Sequence, residues 1–106
     1  MLNLTSTNFA AEVAEFKGTV VVDFWAPWCG PCRMVGPVFE ELAAEFKGNM
    51  NIKFAKINTD EEQALAAKFH IRGIPTVKIF KDGVEVEQFV GAAPKDVYKE
   101  MAMKHL

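Results

Sequence analysis

Cys29 and Cys32 are the only two cysteines in the chain, and Gly30 and Pro31 lie between them. Just upstream, Asp23 follows Val20, Val21 and Val22 and precedes Phe24 and Trp25. Thiols this close can contribute to a metal site, pack as small core residues, or form a dithiol–disulfide couple. A structural zinc site wants four ligands, commonly two such pairs. Here only His70 and His105 stand beside the one pair, without a paired spacing. An iron–sulfur cluster lacks ligands for the same reason. Free cysteine often packs in cores, but Gly30 and Pro31 do not suit a plain helix interior. The redox couple fits the residues best.

In the first turn of a helix, residues three apart share a side, and a modest adjustment brings the two sulfurs to bonding distance. The upstream sulfur then faces unpaired N–H groups and the positive end of the helix dipole. Both favour the thiolate, which is the attacking form. Cys29 is therefore the expected nucleophile. Cys32, one turn further in and less exposed, is the expected resolving thiol. Pro31 offers no side-chain proton donor to stabilise a thiolate, so the disulfide form is relatively favoured and the reduced pair tends to pass electrons on. Asp23 has little room to reach solvent within its apolar run. Burial of an unpaired carboxylate is costly and raises its pKa toward the working range. Cys32 needs a proton acceptor of that kind to become a thiolate.

To position these groups, the chain needs a buried strand that feeds a helix. "TVVVDFW" (Thr19 to Trp25) is β-branched, aromatic and nearly continuous, as in a strand buried on both faces. From Arg33 to Lys47, Val35, Val38, Phe39, Leu42 and Phe46 mark a helical stripe that Gly48 ends, with Pro37 expected to kink or break it. Upstream, a Thr/Ser-rich start can cap a helix on which Phe9, Val13 and Phe16 recur before Gly18. Downstream, Asn51 to Asn58 alternates like a strand, and Thr59 with Glu62 has capping-box spacing for a helix over Glu61 to Phe69. Thr76 to Phe80 is another strand. "KDG" then turns the chain into "VEVEQFV", where Val84 and Val86 alternate with Glu85 and Glu87 as if one face were wet. Pro94 opens a last helix with Val97, Tyr98, Met101 and Ala102 on its apolar face.

The order βαβαβαββα predicts an α/β fold with a small mixed five-stranded sheet and helices on both faces. Strand–helix–strand units imply parallel pairing, and the final hairpin adds an antiparallel edge. No linker or repeat interrupts the pattern, so residues 1–106 read as a single domain. With 50% apolar and 25% charged residues the chain belongs with soluble globular proteins. A formal net charge of −2 and scattered Lys and Arg argue against nucleic acid as a partner. The start lacks a basic, apolar leader, and no apolar run approaches the roughly 18 residues of a membrane span. The expected compartment is the cytoplasm, where a permanent structural disulfide is uncommon. Lys78 and Lys81 read as solvated surface, and Trp25 as a packing residue.

"VVVDFWAPWCGPC", "AKINTDEE", "IRGIPTVKIFKDG" and "VGAAPKD" follow one another in an order and spacing that resemble the thioredoxin family across essentially the whole chain. The resemblance implies the thioredoxin fold and a general reductase of protein disulfides, a monomeric electron carrier. Cys29 would form a mixed disulfide with the target, and Cys32 would release it by attacking the Cys29 sulfur. The reversible Cys29–Cys32 disulfide would be recharged by a thioredoxin reductase, with no cofactor bound to the chain. Gly30 and Pro31 fall on the family's redox-tuning dipeptide. The family's buried acid maps onto Asp23 and a neighbouring lysine onto Lys56.

By residues alone Ile74–Pro75 reads as trans, since only about 5–6% of X–Pro bonds in folded proteins are cis. The resemblance implies a cis bond at Pro75, beside the thiols, with the backbone of Ile74 offered to an extended target. It also implies an apolar rim around Cys29, made by Trp28, Pro31, Gly73, Ile74, Val90, Gly91 and Ala92. Thr59 stands where the family often has Ile or Val, which would weaken some contacts if that position lies on the rim. Two other functions share this pattern: an oxidase or isomerase of the same fold, and a non-catalytic binding subunit that uses the rim.

Overall fold

The strand that carries Asp23 lies at the centre of the sheet. In the computed structural model, which describes residues 1–106, the strands are β1 (Leu2–Asn3), β2 (Thr19–Trp25), β3 (Ile52–Asn58), β4 (Thr76–Lys81) and β5 (Val84–Val90). They form one five-stranded sheet in the order β1-β3-β2-β4-β5. The helices are a short π-helix (Ala10–Ala14), α1 (Gly30–Glu45), α2 (Gln63–Lys68) and α3 (Lys95–Lys104). No helix is long and apolar enough to cross a membrane.

Successive residues of β2 point to opposite faces, and each face has its own core. Val21 joins Val35, Phe39 and Leu42 of α1 and Tyr98, Met101 and Ala102 of α3. Val20, Val22 and Phe24 join Phe9, just before the π-helix, Val13 within it and Leu65 of α2. Every residue of β2 is buried except Trp25, which is half-buried. This is why the run is nearly all apolar instead of alternating. Asp23 shares the face of Val21, beneath α1.

Pairing departs from expectation in one unit. β1 and β2 each run parallel to β3, but β4 runs antiparallel to β2. The β3–α2–β4 segment is thus not a parallel crossover. α2 has 6 residues, a rise of about 9 Å, whereas the 7 residues of β3 span about 23 Å. The helix does not return the chain to the start of β3, so β4 begins beside the end of β2 and runs back along it.

Several local signals also resolve differently. The segment after Thr5 is capped by Thr5 and Asn8, whose side chains each accept from the other residue's backbone N–H. It then closes a wider π turn, with Glu15 N donating to Ala10 O at 2.8 Å. α1 begins at Gly30, three residues before the apolar stripe, and continues unbroken through Pro37. The capping box does not form. Thr59 Oγ donates to Trp25 O and Glu62 accepts from Ser6 N, so both side chains bind neighbouring segments. In β5 a register shift opposite Ile79 and Phe80 inserts one residue. Val84 and Val86 are left 62% and 42% exposed, not turned to a dry face. The turn at Asp82–Gly83 has both residues at positive φ, 51° and 83°, the conformation of a two-residue hairpin turn matched to strand twist.

Lys78, expected on the surface, is 4% exposed. Its ammonium is held by Glu85 Oε2 at 2.8 Å and Gln88 Oε1 at 2.9 Å on β5. The alternation of β4 points Lys78 to the face of Phe80, where the edge hairpin folds over it.

Candidate active site

β2 ends at Trp25, and the four residues after it form the loop that delivers Cys29 to the entry of α1. Cys29 is the N-cap of α1, and its sulfur accepts from the backbone N–H of Cys32 at 3.2 Å. Pro31 fits the first turn because its missing N–H would have no helical partner there. Cys29 and Cys32 are joined in a disulfide. In this oxidised form both cysteines are equally enclosed, at 4% exposure. The expected difference in exposure between them is absent. A Cβ on Gly30 would meet nothing within 4 Å, so no close contact requires glycine there.

Below the disulfide lies a pocket of about 150 Å³ lined by Asp23, Cys32, Lys56, Trp25, Ala26 and Pro27, among others. Arg33 also lines it and donates to Pro27 O at 3.2 Å. Asp23 is 2% exposed, and its Oδ1 has no hydrogen-bond partner. Burial pushes its pKa up to about 7, with the Lys56 ammonium opposing part of the rise. Asp23 and Lys56 are register partners across β2 and β3, so the pleat sends both side chains to one face. The Lys56 Nζ lies 5.1 Å from the centroid of the Trp25 ring. Trp25 is therefore a wall of the pocket as well as a packing residue. Cys32, Asp23 and Lys56 thus line one partly enclosed space.

Above the disulfide, the Ile74–Pro75 bond is cis. Ile74 O lies 3.7 Å from Cys29 Sγ, and Gly91 N donates to Pro75 O at 2.8 Å. Gly91 has φ 101°, a backbone that glycine adopts without strain. Trp28 and Val90 are 67% and 59% exposed; Pro31, Gly73 and Ala92 are exposed, and Ile74 and Gly91 are half-buried. The disulfide itself is buried, and of the expected rim residues Ile74 packs directly against it. A shallow pocket of about 190 Å³ is lined by Trp28, Thr59, Ala66, Ile71, Arg72, Gly73 and Ile74. Thr59 does lie at this edge, with its hydroxyl tied to Trp25 O at 3.0 Å.

Sequence reasoning missed Asp60, which accepts from Trp28 Nε1 at 3.2 Å and orients the most exposed ring of the rim. Nothing in their spacing links the two residues; the end of β3 brings them together. No group of three or more His, Cys, Asp or Glu side chains is arranged to hold a metal ion.

The thioredoxin family model matches residues 1–104. Thioredoxin 1 of Nostoc sp. is 48% identical over 103 residues, covering 97% of this chain and 94% of that protein. The thioredoxin of Bacillus subtilis is 45% identical over 106 residues, covering 100% of this chain and 98% of that protein. The chain belongs to the thioredoxin family of thiol–disulfide oxidoreductases, and its activity is that of a general protein-disulfide reductase.

Proposed function

We propose that the two thiols, the buried acid and the rim divide the reduction of a target disulfide among them. The Cys29 thiolate, favoured by the helix entry, attacks one target sulfur. The target S–S bond breaks, one target thiolate leaves, and a mixed disulfide forms at Cys29. Asp23 takes the Cys32 proton, directly or through a water in the shared pocket. The Cys32 thiolate then attacks Cys29 Sγ, the mixed disulfide breaks, and the second target sulfur leaves reduced. Two electrons have passed from the Cys29–Cys32 dithiol to the target, and the Cys29–Cys32 disulfide remains.

The observation that carries this reading is the shared pocket of Cys32 and Asp23, with the acid's pKa held at about 7. A general base works best with a pKa near the operating pH. Lys56 tempers the rise at Asp23, and Pro31 favours a reducing couple. Trp28, Gly73, Ile74, Val90, Gly91 and Ala92 form the apolar contact surface. Pro75 sets the Ile74 backbone facing the disulfide, where an extended target segment can pair with it. The unit acts as one monomeric domain in the cytoplasm, with disulfide-bearing proteins as targets and a thioredoxin reductase as electron source.

The test is insulin-disulfide reduction, run separately with an NADPH-linked and a ferredoxin-linked reductase. The wild type should turn over with one of them. Cys32→Ser should instead accumulate a mixed disulfide at Cys29, detectable by mass. A mixed disulfide that forms equally well on Cys29→Ser would reverse the assigned roles.

A further inference from the structure

The chain's one tyrosine occupies a place that the reaction scheme leaves unused. Tyr98 lies in α3 and is fully buried, 0% exposed. Its ring packs edge-on against Phe39 and Phe89, with centroids 5.5 and 6.1 Å away. A buried phenol normally finds a partner for its hydroxyl, and this one has two on the same loop. It accepts from Ala93 N at 2.9 Å and donates to Gly91 O at 3.2 Å.

That loop carries Gly91 and Ala92 of the rim. Gly91 N in turn donates to Pro75 O at 2.8 Å, and Ile74 O sits 3.7 Å from Cys29 Sγ. Hydrogen bonds therefore run without a gap from the Tyr98 hydroxyl through Gly91 to the Ile74–Pro75 segment beside the disulfide. Ala92, Ala93 and Pro94 also wall a groove of about 330 Å³ against Met34 and Val38 of α1. A partly exposed loop with glycine at positive φ has many conformations to lose on binding a target. A hydroxyl fixed by a close-packed ring removes that freedom in advance, and preorganisation of this kind strengthens binding without adding a contact.

We propose that Tyr98 is a positioning residue for target binding: its hydroxyl locks the Gly91–Ala93 loop, and through it the spacing of that loop from Ile74–Pro75. Tyr98 touches neither the target nor the sulfurs. The inference rests on the reductase reading above, and it separates binding from chemistry. Targets that use the rim should feel the loss of the hydroxyl, whereas a small disulfide that reaches only the sulfurs should not.

The test is Tyr98→Phe, which keeps the ring in the core and removes only the hydroxyl. Steady-state reduction of insulin and of bis(2-hydroxyethyl) disulfide would be measured together with amide hydrogen exchange. The expected result is a KM for insulin raised about five-fold, since only part of the loss of the two loop hydrogen bonds is felt in target binding, with kcat and the small-disulfide rate unchanged. The Ala93 amide should exchange faster. An unchanged KM would overturn the inference, as would equal losses on both substrates or a raised KM with Ala93 still protected. A wild type inactive on insulin would overturn the reductase reading itself; an active wild type with an unshifted variant would overturn the Tyr98 role alone.

Discussion

Two charged side chains are buried in the sheet, Asp23 on β2 and Lys78 on β4, and they are treated in opposite ways. The Lys78 ammonium has a carboxylate and an amide oxygen within 2.9 Å. Asp23 has an oxygen with no partner, a pKa of about 7 and a pocket that leads to Cys32. A buried charge that is satisfied belongs to the architecture. A buried acid left unsatisfied is costly to the fold, and perturbed titration beside a reactive group is a mark of function. The difference sets the satisfied charge of Lys78 apart from the acid proposed to act as a base.

Removing the acid should produce the largest change in stability. Folded Asp23 holds its proton to about pH 7, against an ordinary value of 3.8. Between these values the folded state binds more protons than the unfolded state, so stability falls as pH rises, and the loss is complete above about pH 7. Asp23→Asn should abolish that fall and stabilise the protein at pH 8 by up to about 4 kcal/mol. Denaturant unfolding at pH 5 and pH 8 checks this, and a variant with the wild-type pH slope would erase the contrast with Lys78.

Lys78→Met should act in the other direction and more weakly. It keeps the packed stem but removes the ammonium from Glu85, whose side chain is 35% exposed and can take up water instead. A loss of about 1 kcal/mol is expected, with insulin reduction unchanged. A fall in activity would move Lys78 out of the architectural class.

The same two residues show what the sequence discloses. Asp23 stands out because a carboxylate inside seven strand residues has no wet face to occupy. Lys78 does not, because one lysine in "TVKIF" fits an alternating strand, and its burial depends on a hairpin whose bulge brings Glu85 and Gln88 over it. The redox pair, the central strand and the order of elements follow from local residue types and period. The direction of β4 does not, because it depends on how far a short α2 carries the chain. The start of α1 hides behind Gly30 and Pro31, which read as breakers until Cys29 is seen to cap them. The bonds of Trp28 to Asp60 and of Tyr98 to Gly91 depend on how loops meet in space.

The central claim is that Asp23 moves the Cys32 proton. Its most direct test is the rate at which the mixed disulfide at Cys29 resolves, measured by stopped flow from pH 5 to 9 in wild type and Asp23→Asn. The wild-type rate should rise through an inflection near pH 7. The variant should lose that inflection and be slower at pH 7 by about 100-fold, the scale of a lost general base, while formation of the mixed disulfide changes far less. Superimposable profiles for the two proteins would contradict the claim.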